Sequence, residues 1–371
     1  MEGVTAAAAV AEAAAAVTKN SGERFILQWH ITDRCTRSCR HCYQEKTPAP
    51  ELPFHRQREI IEQFKEFLVL RAEKMGGTFQ RGHINLTGGE PFCRDDLYDL
   101  LETFQKNKTF FSFALLSNGS ALDAQTTGRL KQRGPEFVQL SLDGPQEIHD
   151  QLRGTGAYAE TLRALKALAR GGIKTYLSFT AHKENYRSFP QVAALARRFR
   201  AAKVWADRFV PFGQGRDMRE KALTPSETMD FIKIMDQERK RTLLNRLSGT
   251  EISMNRSLQF FGTRRRPYHC SAAASLLAIM PDGTVYPCRR LPLPAGNLLE
   301  TSLTVLYHNS DLLRMIRQAG AAPKGCESCR CLAYCQGGSR CLAYALTGDW
   351  HSGDPGCVLQ RSPLHQEASG E

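Results

Sequence analysis

The sequence has no long apolar run and no secretion signal. No hydrophobic stretch approaches the roughly 20 residues that a helix needs to cross a bilayer. The first residues are rich in Ala but lack the cationic start and Leu-rich centre of a signal peptide. We therefore expect no membrane partner, and we predict a cytoplasmic protein whose thiols do not form a disulfide framework.

Acidic residues are scarce relative to basic ones, 38 against 50, so the net charge is +12. This excess suits an acidic peptide, a nucleic acid or an anionic surface, or it is a solvated basic surface with no dedicated partner. The densest basic run, Arg264-Arg265-Arg266, is too short to indicate RNA binding, so a nucleic acid is not the expected partner. The 371 residues suffice for one large domain and a smaller one.

Cysteine, by contrast, is abundant, with 12 residues. Cys35, Cys39 and Cys42 stand at a C-x3-C-x2-C spacing after an apolar run, 25–31, that predicts a strand. A [4Fe–4S] cluster normally takes four Cys, and the next one, Cys93, stands alone and is predicted to be an inert thiol. Three irons would then be held and one left open, the mark of a metal site built for chemistry.

Zinc is the alternative at this loop, because His30 or His41 could complete a tetrahedron with the three thiolates. The thiols alone leave both metals open. A second motif, Gly88-Gly89-Glu90-Pro91, follows the second predicted strand. Its glycines let the backbone approach a ligand closely, although such a segment is also an ordinary turn.

The two motifs together, with an aromatic residue before the last Cys, resemble the radical S-adenosylmethionine (radical SAM) enzymes. The resemblance implies that the amino and carboxylate groups of SAM chelate the open iron. An electron from the cluster, supplied by a reductant such as flavodoxin or ferredoxin, then cleaves SAM to methionine and a 5′-deoxyadenosyl radical, which abstracts hydrogen from substrate.

The resemblance also implies cofactor-binding residues, some in the motifs and others at the ends of later predicted strands. They are His41, Tyr43, Gly88, Gly89, Glu90, Pro91, Ser117, Asn118, Ser141, Asp143 and Arg153. Taken singly, the Asn-Gly and Asp-Gly pairs are common turn pairs, Arg153 is equally a surface Arg, and the two aromatic side chains are equally core residues. No catalytic acid or base is indicated.

Strand-like and helix-like segments alternate from about residue 25 to residue 210, in six units. Such a series implies a parallel sheet with right-handed crossovers, too short for a closed barrel of eight. We predict an α/β fold with a partial (β/α)6 TIM-like barrel and its ligand at the carboxyl ends of the strands. The predicted boundaries are a disordered Ala-rich tail at 1–22, the barrel at 23–215, a helical linker at 216–265, a Cys-rich domain at 266–360 and a disordered tail at 361–371.

The Cys-rich domain carries eight thiols, enough for two [4Fe–4S] clusters or for two four-thiolate zinc sites. They are Cys270, Cys288, Cys326, Cys329, Cys331, Cys335, Cys341 and Cys357. The first two flank a predicted β-hairpin with an Asp-Gly turn.

A C-x2-C-x5-C run followed by Gly337-Gly338, with a late Asp-Pro-Gly-Cys, is similar to the SPASM extension of peptide-modifying radical SAM enzymes. That resemblance implies two auxiliary [4Fe–4S] clusters. The sequence departs from the pattern, because no Cys lies between Cys270 and Cys288 and because Ser339 stands where relatives commonly carry a Cys. We expect Cys331 and Cys341 to restore the count; the division between the two clusters stays open.

We therefore predict a radical SAM peptide maturase that forms a crosslink or thioether, or oxidises its substrate, a ribosomally made precursor. The lead-in before Cys35 and the segment from Cys335 to Cys341 look like the selenobiotic or thio(seleno)oxazole type. Few residues precede the first predicted strand, so a separate leader-recognition protein, or leader binding to the basic surface, is expected. The alternatives are an anaerobic sulfatase-maturating enzyme that makes formylglycine and a zinc-stabilised RNA-binding protein.

Overall fold

The computed structural model describes residues 24–45, 49–74, 76–77, 79–263, 269–318 and 322–359. The predicted tails at 1–22 and 361–371 lie outside the described residues. The described strands are β1 (Ile26–His30), β2 (Gly82–Thr87), β3 (Phe111–Ser117), β4 (Phe137–Ser141), β5 (Thr175–Ala181), β6 (Lys203–Arg208), β7 (Glu251–Ser253), β8 (Leu276–Ile279), β9 (Thr284–Tyr286) and β10 (Gly296–Asn297).

The described helices are α1 (Phe54–Lys74), α2 (Leu97–Lys106), α3 (Ala124–Arg133), α4 (Gln146–Arg153), α5 (Ala157–Arg170), α6 (Phe189–Arg198), α7 (Pro225–Lys240), α8 (Thr242–Ser248), α9 (Phe260–Thr263), α10 (Leu303–Asn309), α11 (Asp311–Arg317), α12 (Leu332–Cys335) and α13 (Arg340–Thr347). Side-chain hydrogen bonds set where some of these helices begin. Asp123 caps α3 by accepting from the Thr126 amide, and Thr224 with Glu227 forms a capping box on α7. No described helix is both long and apolar enough to cross a membrane.

All the described strands belong to one sheet, in the order β10-β9-β8-β1-β2-β3-β4-β5-β6-β7. Strands β1 to β6 are parallel neighbours in chain order, as the six predicted units require. The order ends at β10 on one side and β7 on the other, so the described sheet does not close on itself. The prediction of an open partial barrel is confirmed.

The sheet extends beyond the six predicted strands at both edges. Strand β7, which lies in the predicted linker, pairs parallel with β6. The predicted hairpin forms as β8 and β9, with Gly283 at a φ of +87° in the turn, and β8 pairs parallel with β1. The Cys-rich region therefore shares main-chain hydrogen bonds with the barrel.

The core between the sheet and its helices is continuous across the same junction. Phe25 packs edge-on against Phe67 of α1, with ring centroids 4.7 Å apart. Tyr307 of α10 packs against both rings, at 5.7 Å and 5.0 Å. Aromatic burial of this kind is a large contribution to core stability, and here it holds a C-terminal helix against the first helix of the barrel.

Candidate functional site

A cavity of about 760 Å³ lies where the carboxyl ends of the parallel strands meet. The loop after β1 forms one wall of this cavity, and the Cys35, Cys39 and Cys42 thiols all line it. The loop folds on itself, because the Cys42 amide donates to the Cys39 carbonyl at 3.1 Å. The three thiols predicted to share one metal centre thus face one space.

Gly88 and Gly89 also line the cavity, and they lie against the segment that leads into the cysteine loop. The Gly89 amide donates to the Thr32 carbonyl at 2.7 Å. A Cβ on Gly88 would meet that carbonyl, and a Cβ on Gly89 would lie 2.6 Å from the Asp33 carbonyl oxygen. The two glycines are therefore needed where two backbones touch, a role that adds to the predicted approach of a ligand.

Glu90 is fully buried, and its carboxylate contacts the end of β3 as well as the Phe92 amide. Its carboxylate accepts from the Asn118 amide at 2.7 Å and from the Ser117 hydroxyl at 3.0 Å. Burial raises the pKa of Glu90 to about 7. Asn118 in turn donates from Nδ2 to the Cys35 sulfur, at 3.7 Å. Glu90 thus positions a strand end that contacts the cysteine loop.

Asp143 has a similar supporting position at the end of β4. It is fully buried, and its Oδ2 accepts from Arg153 Nε at 2.6 Å and lies 3.4 Å from His41 Nε2. Although burial alone would raise the pKa of Asp143, Arg153 and His41 outweigh it and hold the pKa below its usual range. Arg153 Nη1 then reaches the Cys39 sulfur at 3.8 Å, so the carboxylate fixes a guanidinium beside the thiols.

Eight of the eleven predicted cofactor-binding residues line the cavity. They are His41, Tyr43, Gly88, Gly89, Ser117, Asn118, Ser141 and Arg153. The remaining three, Glu90, Pro91 and Asp143, are buried and are not among its lining residues. Cofactor contact by any of these residues stays a prediction.

A polar stripe crosses β4, β5 and β6, and only Ser141 of it was predicted from the sequence. It consists of Gln139 and Ser141, Ser178 and Thr180, and Trp205 and Asp207, all of which line the cavity. The two members of each pair stand at positions i and i+2, so both point to the same face of their strand. This alternation was available as a signal in the sequence.

Arginine is prominent around the cavity, whose lining includes Arg153, Arg208, Arg289 and Arg290. The last two follow Cys288 directly, so the C-terminal region contributes to the cavity. Arg290 donates to Asp207 at 2.7 Å. A cavity with this lining suits the carboxylate of an amino-acid-like cofactor and an anionic substrate group.

The thiols fit a metal cluster in number and placement. Burial raises the pKa of Cys35 to about 11 and also raises the pKa of Cys42. Cys35 and Cys42 are therefore protonated at neutral pH when no metal is bound, and metal binding must release their protons. Among the described residues, no three His, Cys, Asp or Glu side chains are arranged to hold a single metal ion.

The eight C-terminal thiols fall into two groups. Five of them line one small apolar cavity: Cys326, Cys329, Cys331, Cys335 and Cys357. The other three, Cys270, Cys288 and Cys341, lie together elsewhere. The Cys270 sulfur accepts from the backbone amide of Arg340, the residue before Cys341. Sequence spacing did not predict this division, which joins segments 71 positions apart.

Two family models match the chain in these regions. The Radical SAM superfamily model matches residues 29–196, and the iron–sulfur cluster-binding SPASM model matches residues 270–331. The first covers the cysteine loop and five of the parallel strands; the second covers the hairpin and the start of the thiol-rich segment. Residues 29–196 thus form a radical SAM domain and residues 270–331 an iron–sulfur cluster-binding SPASM domain, and the chain is an enzyme.

Curated relatives match over nearly the whole chain. PqqA peptide cyclase of Gluconobacter oxydans is 27% identical, over 90% of this chain and 90% of its own. AdoMet-dependent heme synthase of Oleidesulfovibrio alaskensis is 24% identical, over 90% of this chain and 87% of its own.

A solved structure shows the same fold. SuiB of Streptococcus suis, bound to S-adenosylmethionine, has a TM-score of 0.70 at 15% identity, covering 91% of this chain and 77% of SuiB. SuiB has also been solved bound to its precursor peptide SuiA, with a TM-score of 0.68.

Proposed function

We propose that this enzyme is a peptide maturase that uses SAM to abstract a hydrogen atom from a ribosomally made precursor peptide. The observation that carries the proposal is the match to a peptide cyclase along 90% of the chain, together with a cavity that joins the cysteine loop to the C-terminal thiol region. We place the enzyme in the cytoplasm, with a reductant such as flavodoxin or ferredoxin and a separate leader-recognition protein as partners.

Cys35, Cys39 and Cys42 would hold a [4Fe–4S] cluster whose fourth iron is left for SAM. Once in place, the cluster would supply an electron to the bound SAM, which would split into methionine and a 5′-deoxyadenosyl radical. The chain positions the reactants. Asn118 and Arg153 reach two of the ligand sulfurs, and Gly88 and Gly89 hold the cysteine loop against β2.

The polar stripe on β4 to β6, together with Arg289 and Arg290, lines the part of the cavity where the substrate would be oriented. Hydrogen abstraction leaves a substrate radical that must lose an electron if a crosslink or an oxidised group is to form. We propose two auxiliary [4Fe–4S] clusters at the C-terminal thiols as the acceptors of that electron.

A tetrapyrrole substrate is the second candidate. The heme synthase relative favours it, and the arginines of the cavity would suit carboxylate side chains equally well. The sulfatase-maturating alternative is tested by the same experiment, because its product is an aldehyde on a Cys or Ser of a sulfatase sequence.

The test uses protein purified and reconstituted without oxygen. About twelve irons per chain are expected, four for each of three clusters. With reductant and SAM the protein should form 5′-deoxyadenosine, and a peptide encoded beside its gene should lose hydrogen, as detected by mass spectrometry. Peptides with and without their leader, a sulfatase-derived peptide and an iron porphyrin are compared in parallel. Deoxyadenosine formed with no change in any peptide, but with a modified porphyrin, would refute the peptide proposal.

A further inference from the structure

Most of the arginines that line the main cavity already have a carboxylate partner. Four guanidinium groups form ion pairs within the chain: Arg37 with Glu160, Arg153 with Asp143, Arg208 with Asp354, and Arg290 with Asp207. The other two lining arginines are Arg40, which is exposed, and Arg289, which is half-buried. Among the described residues, neither has an acidic side chain within ion-pair distance. Arg289 therefore combines partial burial with the lack of a counter-charge.

A tight turn between β9 and β10 fixes the position of Arg289. The Leu291 amide donates to the Cys288 carbonyl at 2.9 Å, so Arg289 and Arg290 are the two corner residues of the turn. The Arg289 amide also donates to Gln28 Oε1 of β1, at 3.2 Å. The backbone of Arg289 is thus held at both the hairpin and the first strand, as a preorganised binding residue needs.

The two rings near the Arg289 side chain carry no negative charge. Its Cζ lies 5.6 Å from the centroid of the Tyr43 ring, and the His30 ring lies edge-on to Tyr43 with centroids 6.1 Å apart. Burial, with a smaller effect of Arg289, lowers the pKa of His30 to about 3, so that ring is neutral. Arg289 Nε is buried, and it has no hydrogen-bond partner in the described part of the chain. An unpaired buried donor costs free energy that an acceptor would recover.

Positive charge is in excess on the other side of the turn as well. Asp207 Oδ2 accepts from Arg290 at 2.7 Å and lies 3.5 Å from Arg256 Nε. Although burial alone would raise the pKa of Asp207, the neighbouring guanidinium groups hold it below its usual range. This carboxylate is thus ionised and already shared by two arginines, so Arg289 adds a charge that it does not balance. Such an excess at a cavity wall favours an anion.

We infer that Arg289 anchors a carboxylate of the substrate, which accepts hydrogen bonds from Nε and from one Nη of the guanidinium group. The inference rests on the proposed maturase function and adds the chemical class of a substrate group to it. The carboxylate belongs to an acidic side chain of the precursor peptide or to its C-terminus. A neutral group at the same place would leave the positive charge uncompensated.

The first test needs no turnover of a peptide. Phenylglyoxal, an arginine-selective reagent, is added to the reconstituted full-length enzyme with SAM, and tandem mass spectrometry follows each arginine. Acetylglutamate methylamide is the acidic probe, and acetylglutamine methylamide is its neutral control. At about ten times its Kd, the acidic probe should slow modification of Arg289 about tenfold, because that fraction of sites is occupied. The neutral probe should not slow it.

Three outcomes of that experiment would overturn the inference. They are equal rates with the two probes, protection of Arg290 without protection of Arg289, and protection of Arg289 by SAM alone as large as with the acidic probe. Since no peptide is modified in this assay, its failure is distinguishable from failure of the proposed maturase activity.

The second test compares kinetics with the precursor peptide. Arg289→Gln should raise KM about 10- to 100-fold, the range expected for a lost charge-assisted hydrogen bond, and Arg289→Lys should raise it less. Arg314→Gln, which removes an exposed pair with Asp311, is the matched control and should keep the wild-type KM. A fall in kcat at unchanged KM would assign Arg289 to the balance of cluster charge and overturn the anchor.

The source of the carboxylate is found with altered peptides. Each acidic residue of the peptide is replaced in turn by its amide, and a further peptide carries an amidated C-terminus. One of these peptides should show the raised KM with the wild type and little further increase with Arg289→Gln, since both changes remove the same contact. If every neutralised peptide keeps the wild-type KM, no substrate carboxylate binds Arg289 and the inference is wrong.

Discussion

The N-terminal cysteine loop takes its thiols from one short segment, whereas the C-terminal thiol region gathers its thiols from segments far apart in sequence. Cys35, Cys39 and Cys42 come from a single loop of eight residues, and all three line the main cavity. Cys270, Cys288 and Cys341 come from three distant segments that only the sheet and the helix packing bring together. A site built within one loop can be identified from spacing, whereas a site assembled from distant segments cannot.

The largest effect is expected when the three N-terminal thiols are removed together. Replacing Cys35, Cys39 and Cys42 by Ala should remove about a third of the iron, one cluster of three, and all 5′-deoxyadenosine formation. The C-terminal clusters should be retained because their ligands are elsewhere. Iron analysis and chromatography of the reaction products measure both effects.

Cys93→Ala is the control for that variant, since Cys93 stands outside the cysteine loop. It should keep the full iron content and SAM cleavage. Continued cleavage in the triple variant would contradict the assignment of the N-terminal loop.

The junction between the two regions should be the next most sensitive point. Arg208 of β6 donates two hydrogen bonds to the Asp354 carboxylate, and both side chains are buried. Asp354→Asn leaves a buried guanidinium without its counter-charge, so the free energy of unfolding should fall by about 3–5 kcal/mol. Asp230→Asn, which breaks the exposed pair with Lys233, should cost less than about 1 kcal/mol in the same denaturant titration. Equal effects would show that the two regions are not joined through this pair.

Burial of Glu90 gives the N-terminal region a pH dependence. Burial raises the pKa of Glu90 from 4.5 to about 7, so the folded state binds a proton that the unfolded state has lost between these values. The free energy of unfolding should therefore fall as pH rises through that window, by about 3 kcal/mol in total. Chemical unfolding of the wild type and of Glu90→Gln from about pH 4 to about pH 8 measures the difference. A wild-type curve parallel to that of the variant would contradict the prediction.

The smallest expected effect concerns the contact between the Gly-Gly segment and the cysteine loop. Gly89→Ala places a methyl group 2.6 Å from the Asp33 carbonyl oxygen, so it should cost about 1–3 kcal/mol and displace the loop. Thermal unfolding and the rate of SAM cleavage should both fall. Gly128→Ala is the matched control, because that position in α3 is exposed with no atom within 4 Å of the new Cβ, and it should be stabilising by about 0.5–1 kcal/mol. Equal behaviour of the two variants would show that the close approach is unimportant.

Several parts of the fold and the site could be predicted from local pattern. The strand and helix alternation gave the six parallel strands, and the Asp-Gly turn gave the hairpin of β8 and β9. Helix α4, which carries Arg153, was missed because it is only eight residues long and most of those residues are polar. The predicted helical linker at 216–265 contains two helices, α7 and α8, followed by the unpredicted strand β7.

The sequence by itself determined the N-terminal cysteine loop, the alternating strands and helices and the hairpin turn, because each depends on residues a few positions apart. Only the tertiary structure decided that the hairpin joins the barrel sheet, that Arg289 and Arg290 line the cavity, and that the C-terminal thiols divide three to five. The physical reason is that these features depend on which distant segments pack together, and sheet pairing and core burial fix that packing across the whole chain.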